Sequence, residues 1–241
     1  MSNSYTALGS LFEYLNYDCD YEKWSQYLIE KLQSLNAGLN GVDIGCGNGY
    51  FTRALYSAGY GVCGVDISVD MLNKAKVLAS KKGVKAEFLL GDITKLKLNK
   101  KVDFAVAVND CLNYIPQSKL KTAFLKVAQN LKKGGIFIFD ISSENKLKNI
   151  LGNNLFCDDG EDVTYIWFNK FDTDKVIMDL TFFIKDELGN YVRKDEQHVQ
   201  FVHLEQNVIC ALEESGFKVL QVEGHLGGEK TERINFICKK L

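Results

Sequence analysis

Three alternate glycines that follow a short apolar strand most constrain what this chain can fold into. The strand is predicted over residues 39–44, and a helix is predicted to begin near Phe51. The glycines between them are Gly45, Gly47 and Gly49. Glycine lacks Cβ, so the backbone can turn tightly there and let a ligand come close. The amides at the start of the helix also favour negative charge and hydrogen-bond acceptors.

A second predicted strand, residues 61–66, ends at an acidic side chain, Asp66. A carboxylate at this position suits a ribose, because it can accept hydrogen bonds from both hydroxyls. Together the two segments predict an adenosine-containing ligand at the carboxyl edge of a parallel sheet.

The glycine spacing argues against a dinucleotide ligand. The dinucleotide fingerprint is G-x-G-x-x-G, and its third glycine would fall at Tyr50. Tyrosine is too large for the close packing of helix on strand that this position requires. An NAD-dependent oxidoreductase is therefore an alternative and not the leading hypothesis.

Composition is typical of a soluble globular protein. The chain has 241 residues, of which 46% are hydrophobic and 25% charged, and this suits a single domain over residues 1–241 that carries an insertion. The formal net charge of −2 gives no basic field that would attract nucleic acid. We therefore expect no nucleic-acid partner.

Cysteine spacing and the N-terminal residues indicate the compartment. The seven cysteines show neither C-x-x-C nor Cys/His metal spacing, so we expect no metal site and reduced thiols in a cytoplasmic protein. The first residues lack a charged start followed by an apolar run, and no apolar stretch reaches membrane length. We expect neither a signal peptide nor a membrane partner.

Apolar strands alternate with amphipathic helices from residue 39 to residue 140. Runs that are apolar on both faces indicate central parallel strands covered by helices. This order predicts an α/β fold with a doubly wound, mostly parallel sheet. The predicted strands are 39–44, 61–66, 86–90, 102–108, 136–140, 217–223 and 233–239, and the predicted helices are 51–58, 68–82, 117–131 and 205–215.

Residues 1–38 are predicted to form an N-terminal helical cap with two apolar faces. The first face holds Leu8, Leu11, Phe12 and Leu15, and the second holds Trp24, Tyr27, Leu28 and Leu32.

A β-rich segment interrupts the alternation after the fifth strand. Residues 160–204 are predicted to form an inserted antiparallel β meander, with strands over 163–171, 175–185 and 191–203. The segment is rich in aromatic residues, which fits a platform over the acceptor pocket of a ligand-binding sheet. The alternative is a private core or a dimer interface, so a monomer and a homodimer both remain open.

Five motifs stand in order along the chain: GVDIGCGNGYFT at 41–52, GVDISVDML at 64–72, FLLGDI at 88–93, VDF with NYI at 102–104 and 113–115, and LKKGGIFIFD at 131–140. Together they resemble the class I S-adenosylmethionine (SAM)-dependent methyltransferase family. The resemblance is to the small-molecule type with a β-sheet insertion after strand five, which includes sugar amine and glycine N-methyltransferases. It implies a seven-stranded sheet, SAM as cofactor, and methyl transfer to a small-molecule acceptor through nitrogen or oxygen.

The resemblance also implies cofactor-binding residues. The glycine turn would line the methionine moiety, Asp43 would anchor that turn, Asp66 would accept the ribose hydroxyls, and Asp92 would accept the adenine amine. Tyr5 would meet the carboxylate or sulfonium region. The full predicted set is Tyr5, Asp43, Gly45, Cys46, Gly47, Asn48, Gly49, Asp66, Ile67, Met71, Asp92, Ile93 and Asn109.

The implied chemistry is in-line displacement at the sulfonium methyl, for which the protein mainly supplies alignment and desolvation. Asn109 and Asp110 end the fourth strand and would face the incoming nucleophile. A general base is needed only if the nucleophile carries a proton that it does not lose readily. The candidates are Asp110, Tyr114 and His198, with His203 as a further histidine of the meander.

Two other functions stay open beside small-molecule methylation and the oxidoreductase. One is an RNA or tRNA methyltransferase, which the balanced charge disfavours. The other is a SAM-binding module without catalysis. No N-P-P-Y motif follows the fourth strand, where Asn109 is followed by Asp110, Cys111 and Leu112, and this argues against methylation of nucleobases and glutamine amides.

Overall fold

The computed structural model describes residues 19–241 of the chain. Two predictions lie outside the described residues: the apolar face at residues 8–15 and the cofactor-binding residue Tyr5. The part of the predicted helical cap that carries its second apolar face forms helix α1, Tyr21–Ser34. Asp20 caps it by accepting a hydrogen bond from the Lys23 amide. The predicted apolar face is buried, and it consists of Trp24, Tyr27, Leu28 and Leu32.

A seven-stranded sheet, sheet A, forms the centre of the fold. Its strands are β1 Asn40–Ile44, β2 Gly61–Asp66, β3 Phe88–Leu90, β4 Val102–Ala107, β5 Leu131–Ser142, β10 Phe217–Gly224 and β11 Arg233–Lys240. The strand order is β10-β11-β5-β4-β1-β2-β3. The five strands from β5 to β3 are parallel, and β11 runs antiparallel to both β5 and β10. The predicted doubly wound, mostly parallel sheet is therefore confirmed.

Helices cover both faces of sheet A, because its central strands are apolar on both sides. The helices are α2 Tyr50–Ser57, α3 Val69–Lys81, α4 Gln117–Asn130 and α5 Glu205–Glu214. Helices α4 and α5 pack with Phe137 and Phe139 on one face, and α1 and α2 pack with Phe104 and Ile138 on the other. Ser68 caps α3 by accepting a hydrogen bond from the Met71 amide.

Strand β5 is longer than the sequence pattern predicts. It runs from Leu131 to Ser142, and its pairing with β4 is interrupted by an irregularity between Leu131 and Ile136. Leu131 pairs with Val102 of β4, and Ser142 pairs with Arg233 of β11. The apolar run in the sequence identifies only the part of β5 that helices cover. The polar ends of the strand are recognised only from their pairing with neighbouring strands.

A second, four-stranded antiparallel sheet, sheet B, follows β5. Its strands, in order, are β6 Leu155–Asp159, β7 Val163–Asp172, β8 Lys175–Lys185 and β9 Tyr191–Phe201. The inserted meander is thus present, but it has one strand more than predicted. Strand β6 is short and mostly exposed, and it includes Asp158 and Asp159, so it carries no apolar alternation that would reveal it.

The inner face of sheet B has an apolar core of its own. Leu180 and Phe182 of β8 pack with Leu147 and Leu151, which belong to the π-helical turn Lys146–Leu151. Trp167 and other aromatic side chains of the sheet pack against the same cluster.

Four aromatic residues of the predicted insertion lie outside this cluster: Phe168, Phe183, Tyr191 and Phe201. The side chains of Phe168 and Tyr191 are 54% and 52% exposed. Tyr191 donates a hydrogen bond to the Glu161 carbonyl at 3.0 Å. Some aromatic residues of the insertion therefore belong to the apolar core of sheet B, and others lie at the surface.

No helix within residues 19–241 is long and apolar enough to cross a membrane.

A buried ion cluster joins four elements at one edge of sheet A. Arg233, at the start of β11, forms ion pairs with Asp140 of β5 and with Asp110, which follows β4; the Nη1–Oδ1 distance to Asp110 is 2.8 Å. Ser142 donates to the same Asp110 carboxylate at 2.8 Å. The ring of Trp24 from α1 lies 4.6 Å from the guanidinium carbon, a cation–π distance.

The charge of Arg233 offsets the cost of burying two carboxylates side by side. Burial raises the pKa of Asp140 to about 6 despite the nearby guanidinium. Burial also acts to raise the pKa of Asp110, but the attraction of Arg233 and Lys146 outweighs it and holds that pKa below its usual value.

We expect Arg233→Met to lower the free energy of unfolding by about 3–5 kcal/mol, because it leaves buried carboxylates without their partner. Urea unfolding followed by circular dichroism measures the change. Arg193→Met is the matched control, since Arg193 pairs with Asp195 on the exposed surface of β9 and such pairs contribute about 0–1 kcal/mol. Equal losses in the two variants would contradict a structural role for the cluster.

Candidate active site

A cavity of about 320 Å³ opens at the carboxyl ends of β1, β2 and β4. This size is in the range of small-molecule and cofactor sites. Predicted cofactor residues that line it are Gly45, Cys46, Gly47, Asn48, Asp66, Ile67, Met71, Asp92, Ile93 and Asn109. Lining residues that the sequence analysis did not single out for the site include Tyr21, Tyr50, Phe51, Thr94, Val108, Cys111 and Ile115.

The glycine turn has a backbone that other residues rarely adopt. Gly45, Gly47 and Gly49 have φ values of +69°, +53° and +75°. A Cβ on Gly45 would collide with the Cys111 thiol, and one on Gly49 would lie 2.7 Å from the ring of Phe88. The absence of side chains leaves a tight backbone turn at the carboxyl end of β1, in which Gly45 and Gly47 line the cavity and Gly49 does not.

Asp66 lies at the end of β2 with its carboxylate on the cavity wall. Its Oδ2 accepts from the Gly47 amide at 2.8 Å, and its Oδ1 accepts from the Ser68 amide at 2.8 Å. Burial raises the pKa of this carboxyl, and the amide hydrogen bonds oppose the shift. Each oxygen keeps a second acceptor position, so the fixed carboxylate can still receive two hydroxyl donors.

Asp92 caps a short turn and also lines the cavity. Its Oδ1 accepts from the amide and the hydroxyl of Thr94, both at 2.8 Å, and so caps the 3₁₀ turn Ile93–Lys95. The residue also lines the cavity beside the buried side chain of Ile93. Across the cavity, Ile67 is 69% exposed, which leaves an apolar surface that a planar ring can cover.

Asp43 lies behind the glycine turn and is not among the lining residues. It is 1% exposed, and its Oδ2 accepts from the Thr52 hydroxyl in the first turn of α2 at 2.6 Å. Burial raises its pKa to about 7, although the hydrogen bonds from Thr52 act in the opposite direction. These contacts tie β1 to α2 across the turn, which agrees with an anchoring role.

The end of β4 is a strained turn that presents Asn109 to the cavity. Asn109 and Asp110 have φ values of +65° and +63°, in the left-handed region. Asparagine and aspartate tolerate this region better than other residues that carry a Cβ. The buried carboxylate of Asp140 accepts from the Asn109 amide at 2.6 Å and from the Asp110 amide at 3.1 Å, so β5 fixes the turn.

Asp110 is oriented differently from what the sequence analysis expects. Its carboxylate is held by Arg233 and Ser142 in the ion cluster, and the residue does not line the cavity. The partner that redirects it is 123 positions away in the chain, so no local pattern indicates the pairing.

Tyr114 brings the cavity wall into contact with sheet B. It ends the 3₁₀ turn Cys111–Tyr114, and its hydroxyl lies 3.4 Å from Nδ1 of His198 on β9. His198 is 4% exposed and does not itself line the cavity. His203 is instead bound at both ring nitrogens, to Gln117 at 2.9 Å and to the Leu112 carbonyl at 3.1 Å, which indicates a structural histidine.

No group of three or more His, Cys, Asp or Glu residues within the described part of the chain is arranged to hold a metal ion.

The fold and the cavity agree with what comparison to known proteins shows. A family model described as a methyltransferase domain matches residues 42–135, which span β1 to the first part of β5. The chain belongs to the class I SAM-dependent methyltransferases, and it is an enzyme whose cofactor is S-adenosylmethionine.

Relatives extend the similarity to nearly the whole chain. A putative methyltransferase of Bacillus subtilis (strain 168) is 30% identical over 98% of this chain and 97% of its own length. The crystal structure of a SAM-dependent methyltransferase from Clostridium acetobutylicum ATCC 824 is 34% identical, covers 95% of this chain and 96% of its own, and has a TM-score of 0.89. A sugar N-methyltransferase from Streptoalloteichus sp ATCC 53650 shares the fold at 16% identity, with a TM-score of 0.79 over 98% of this chain and 93% of its own.

We expect Asp66→Ala to weaken SAM binding by about 1.5–3 kcal/mol, the scale of hydrogen bonds to a charged group. Isothermal titration calorimetry with SAM and S-adenosylhomocysteine measures the loss, and NAD should give no binding heat. Asp66→Asn keeps the shape but replaces one acceptor by a donor, so it should also bind weakly. Asp70→Asn, on the exposed first turn of α3, is the control, and equal affinity in all variants would exclude Asp66 from the ribose site.

The buried carboxyl of Asp43 should make stability depend on pH. Its pKa is about 7 in the folded protein and about 3.9 in an unfolded chain. The folded state therefore keeps a proton that the unfolded chain releases, and the free energy of unfolding falls as pH rises from about 4 to about 7, by at most about 1.4 kcal/mol per unit. Asp43→Asn removes this titration, so the variant should gain stability relative to the wild type across that range in urea melts. Parallel pH profiles for the two proteins would show that Asp43 is ionised when folded.

Proposed function

We propose that this enzyme transfers the methyl group of SAM to a small-molecule acceptor, through a nitrogen or oxygen nucleophile, by in-line displacement. The observation that carries the proposal is the placement of Asn109 and Tyr114 on the cavity wall, with Tyr114 also in contact with β9 of sheet B. The cofactor end of the cavity is thus continuous with a wall that the inserted sheet supports.

The residues of the cavity fit the cofactor in chemistry as well as in shape. The side-chain-free glycine turn accommodates the methionine part, Asp66 receives the ribose hydroxyls, and Asp92 receives the adenine amine beside Ile93. When bound, SAM supplies a methyl group already activated by a positively charged sulfur. The chain therefore has to align the acceptor and exclude water.

Asn109 is proposed to orient the reacting end of the site. Its backbone is fixed by Asp140, so its position does not depend on the bound molecule. A rigid turn at this point keeps the nucleophile in line with the bond that breaks, and alignment of this kind is a main source of rate enhancement.

A small acceptor agrees with the dimensions and charge of the site. The cavity of about 320 Å³ has the size of a small-molecule site, and the net charge of −2 offers no general attraction to nucleic acid. The shared fold of the sugar N-methyltransferase supports the same class of acceptor. A monomer or homodimer and a cytoplasmic location stay predictions.

The direct test is transfer of labelled methyl from SAM to fractionated cell metabolites by the purified full-length protein. We expect label in a low-molecular-weight fraction, and much less label when Asp66→Ala replaces the wild type at SAM concentrations below the dissociation constant of the variant. Total tRNA and ribosomal RNA are included as parallel substrates. Label that enters RNA and no metabolite fraction would replace the proposal with an RNA methyltransferase.

A further inference from the structure

A buried carboxylate on sheet B has no role in the site as described so far. Glu196 of β9 is 6% exposed, and its Oε2 lies 3.1 Å from Nε2 of His198. The two residues are two positions apart on one strand, so their side chains share a face. Their partners on β8 are apolar: Leu180 stands opposite Glu196 and Met178 stands opposite His198.

Burial of such a pair costs free energy that a packed apolar pair would not. A carboxylate loses its hydration when it is placed among apolar side chains, and a single ion pair seldom repays that loss. The same face holds apolar residues such as Val176 and Phe182 and the buried neutral polar side chains Asn169 and Gln200. Glu196 and His198 are the buried titratable residues of this face.

One further contact connects Glu196 and His198 to the cavity wall. His198 Nδ1 lies 3.4 Å from the Tyr114 hydroxyl, and Tyr114 lines the cavity. Asn113 fixes the turn that carries Tyr114: its amide group donates to the Phe201 carbonyl at 3.0 Å, and its Oδ1 accepts from the Ser142 amide at 2.8 Å. The phenol, the imidazole and the carboxylate thus form a chain from the cavity into sheet B.

We propose that Tyr114, His198 and Glu196 form a proton relay that serves an acceptor whose nucleophile must lose a proton, such as a hydroxyl. This inference rests on the proposed function and narrows its acceptor class. Glu196 and His198 act through Tyr114 and are positioning residues, whereas Tyr114 is the group that meets the acceptor.

The relay conserves atoms and charge. The nucleophilic atom bonds to the methyl carbon as the carbon–sulfur bond breaks, and its proton passes to the Tyr114 oxygen while the phenolic proton passes to His198 Nδ1. The sulfur becomes neutral and the imidazole becomes positive, so one positive charge moves from the cofactor to His198. Glu196, which accepts from Nε2–H, holds the required tautomer and then pairs with the imidazolium.

The first test needs no acceptor. Two-bond ¹H–¹⁵N correlation spectra report the tautomer of His198, and the chain has three histidines, so a His198→Gln variant assigns the signal. We expect the Nε2–H form in the wild type and in Tyr114→Phe, and a shift towards the Nδ1–H form in Glu196→Leu, which removes the acceptor that holds the proton on Nε2. A wild-type Nδ1–H form, or a tautomer that Glu196→Leu leaves unchanged, would overturn the relay whatever the acceptor is.

The second test uses the metabolite fraction that the wild type methylates. Tyr114→Phe and His198→Gln should lower kcat by about 10²–10⁴-fold, and Glu196→Gln should lower it in the same direction, with SAM dissociation constants unchanged in calorimetry. Thr181→Val is the control, because Thr181 makes a side-chain hydrogen bond to Asp195 on the opposite face of sheet B. Full activity of Tyr114→Phe would overturn the relay. Absence of methyl transfer by the wild type to any metabolite would instead count against the proposed function, and the spectra would still decide the relay.

Discussion

The pairing of Arg233 with Asp110 and Asp140 is the interaction on which the geometry of the site depends. It connects the start of β11 with β5 and with the end of β4, and the ring of Trp24 adds α1 to the same cluster. Asp140 also receives the two amides of the left-handed turn at Asn109. Arg233 thus fixes the carboxylate of Asp140, and Asp140 fixes the turn at Asn109. This turn forms part of the cavity wall.

The part of the structure that follows from short-range patterns could be predicted from the sequence. The left-handed glycines, the cap at Ser68 and the apolar strands are each determined by neighbouring residues, because sterics and burial act locally. The glycine turn at the end of β1 and the carboxylate at the end of β2 could be placed together for the same reason: parallel strands bring their carboxyl ends to one edge.

Contacts between distant residues account for what the sequence did not reveal. Asp110 turns towards Arg233, and His198 meets Tyr114 from a strand 84 positions away. Glu196 looks like an ordinary residue of a polar strand, since its burial follows from the way β9 packs and not from its neighbours in sequence. Tyr21 reaches the cavity from α1, and nothing in the helical pattern separates it from the other aromatic residues there.

The separate apolar core of sheet B has an evolutionary consequence. Leu147 and Leu151 pack with β8, far along the chain from the glycine turn. Their cluster shares no member with the three clusters that include residues of sheet A. Substitutions in β6 and β7 would therefore be absorbed within sheet B and leave the cofactor end of the cavity in its present shape. Sequence drift is then expected to be faster in these outer strands than around the glycine turn, so that diverging descendants keep one cofactor while their outer surfaces change.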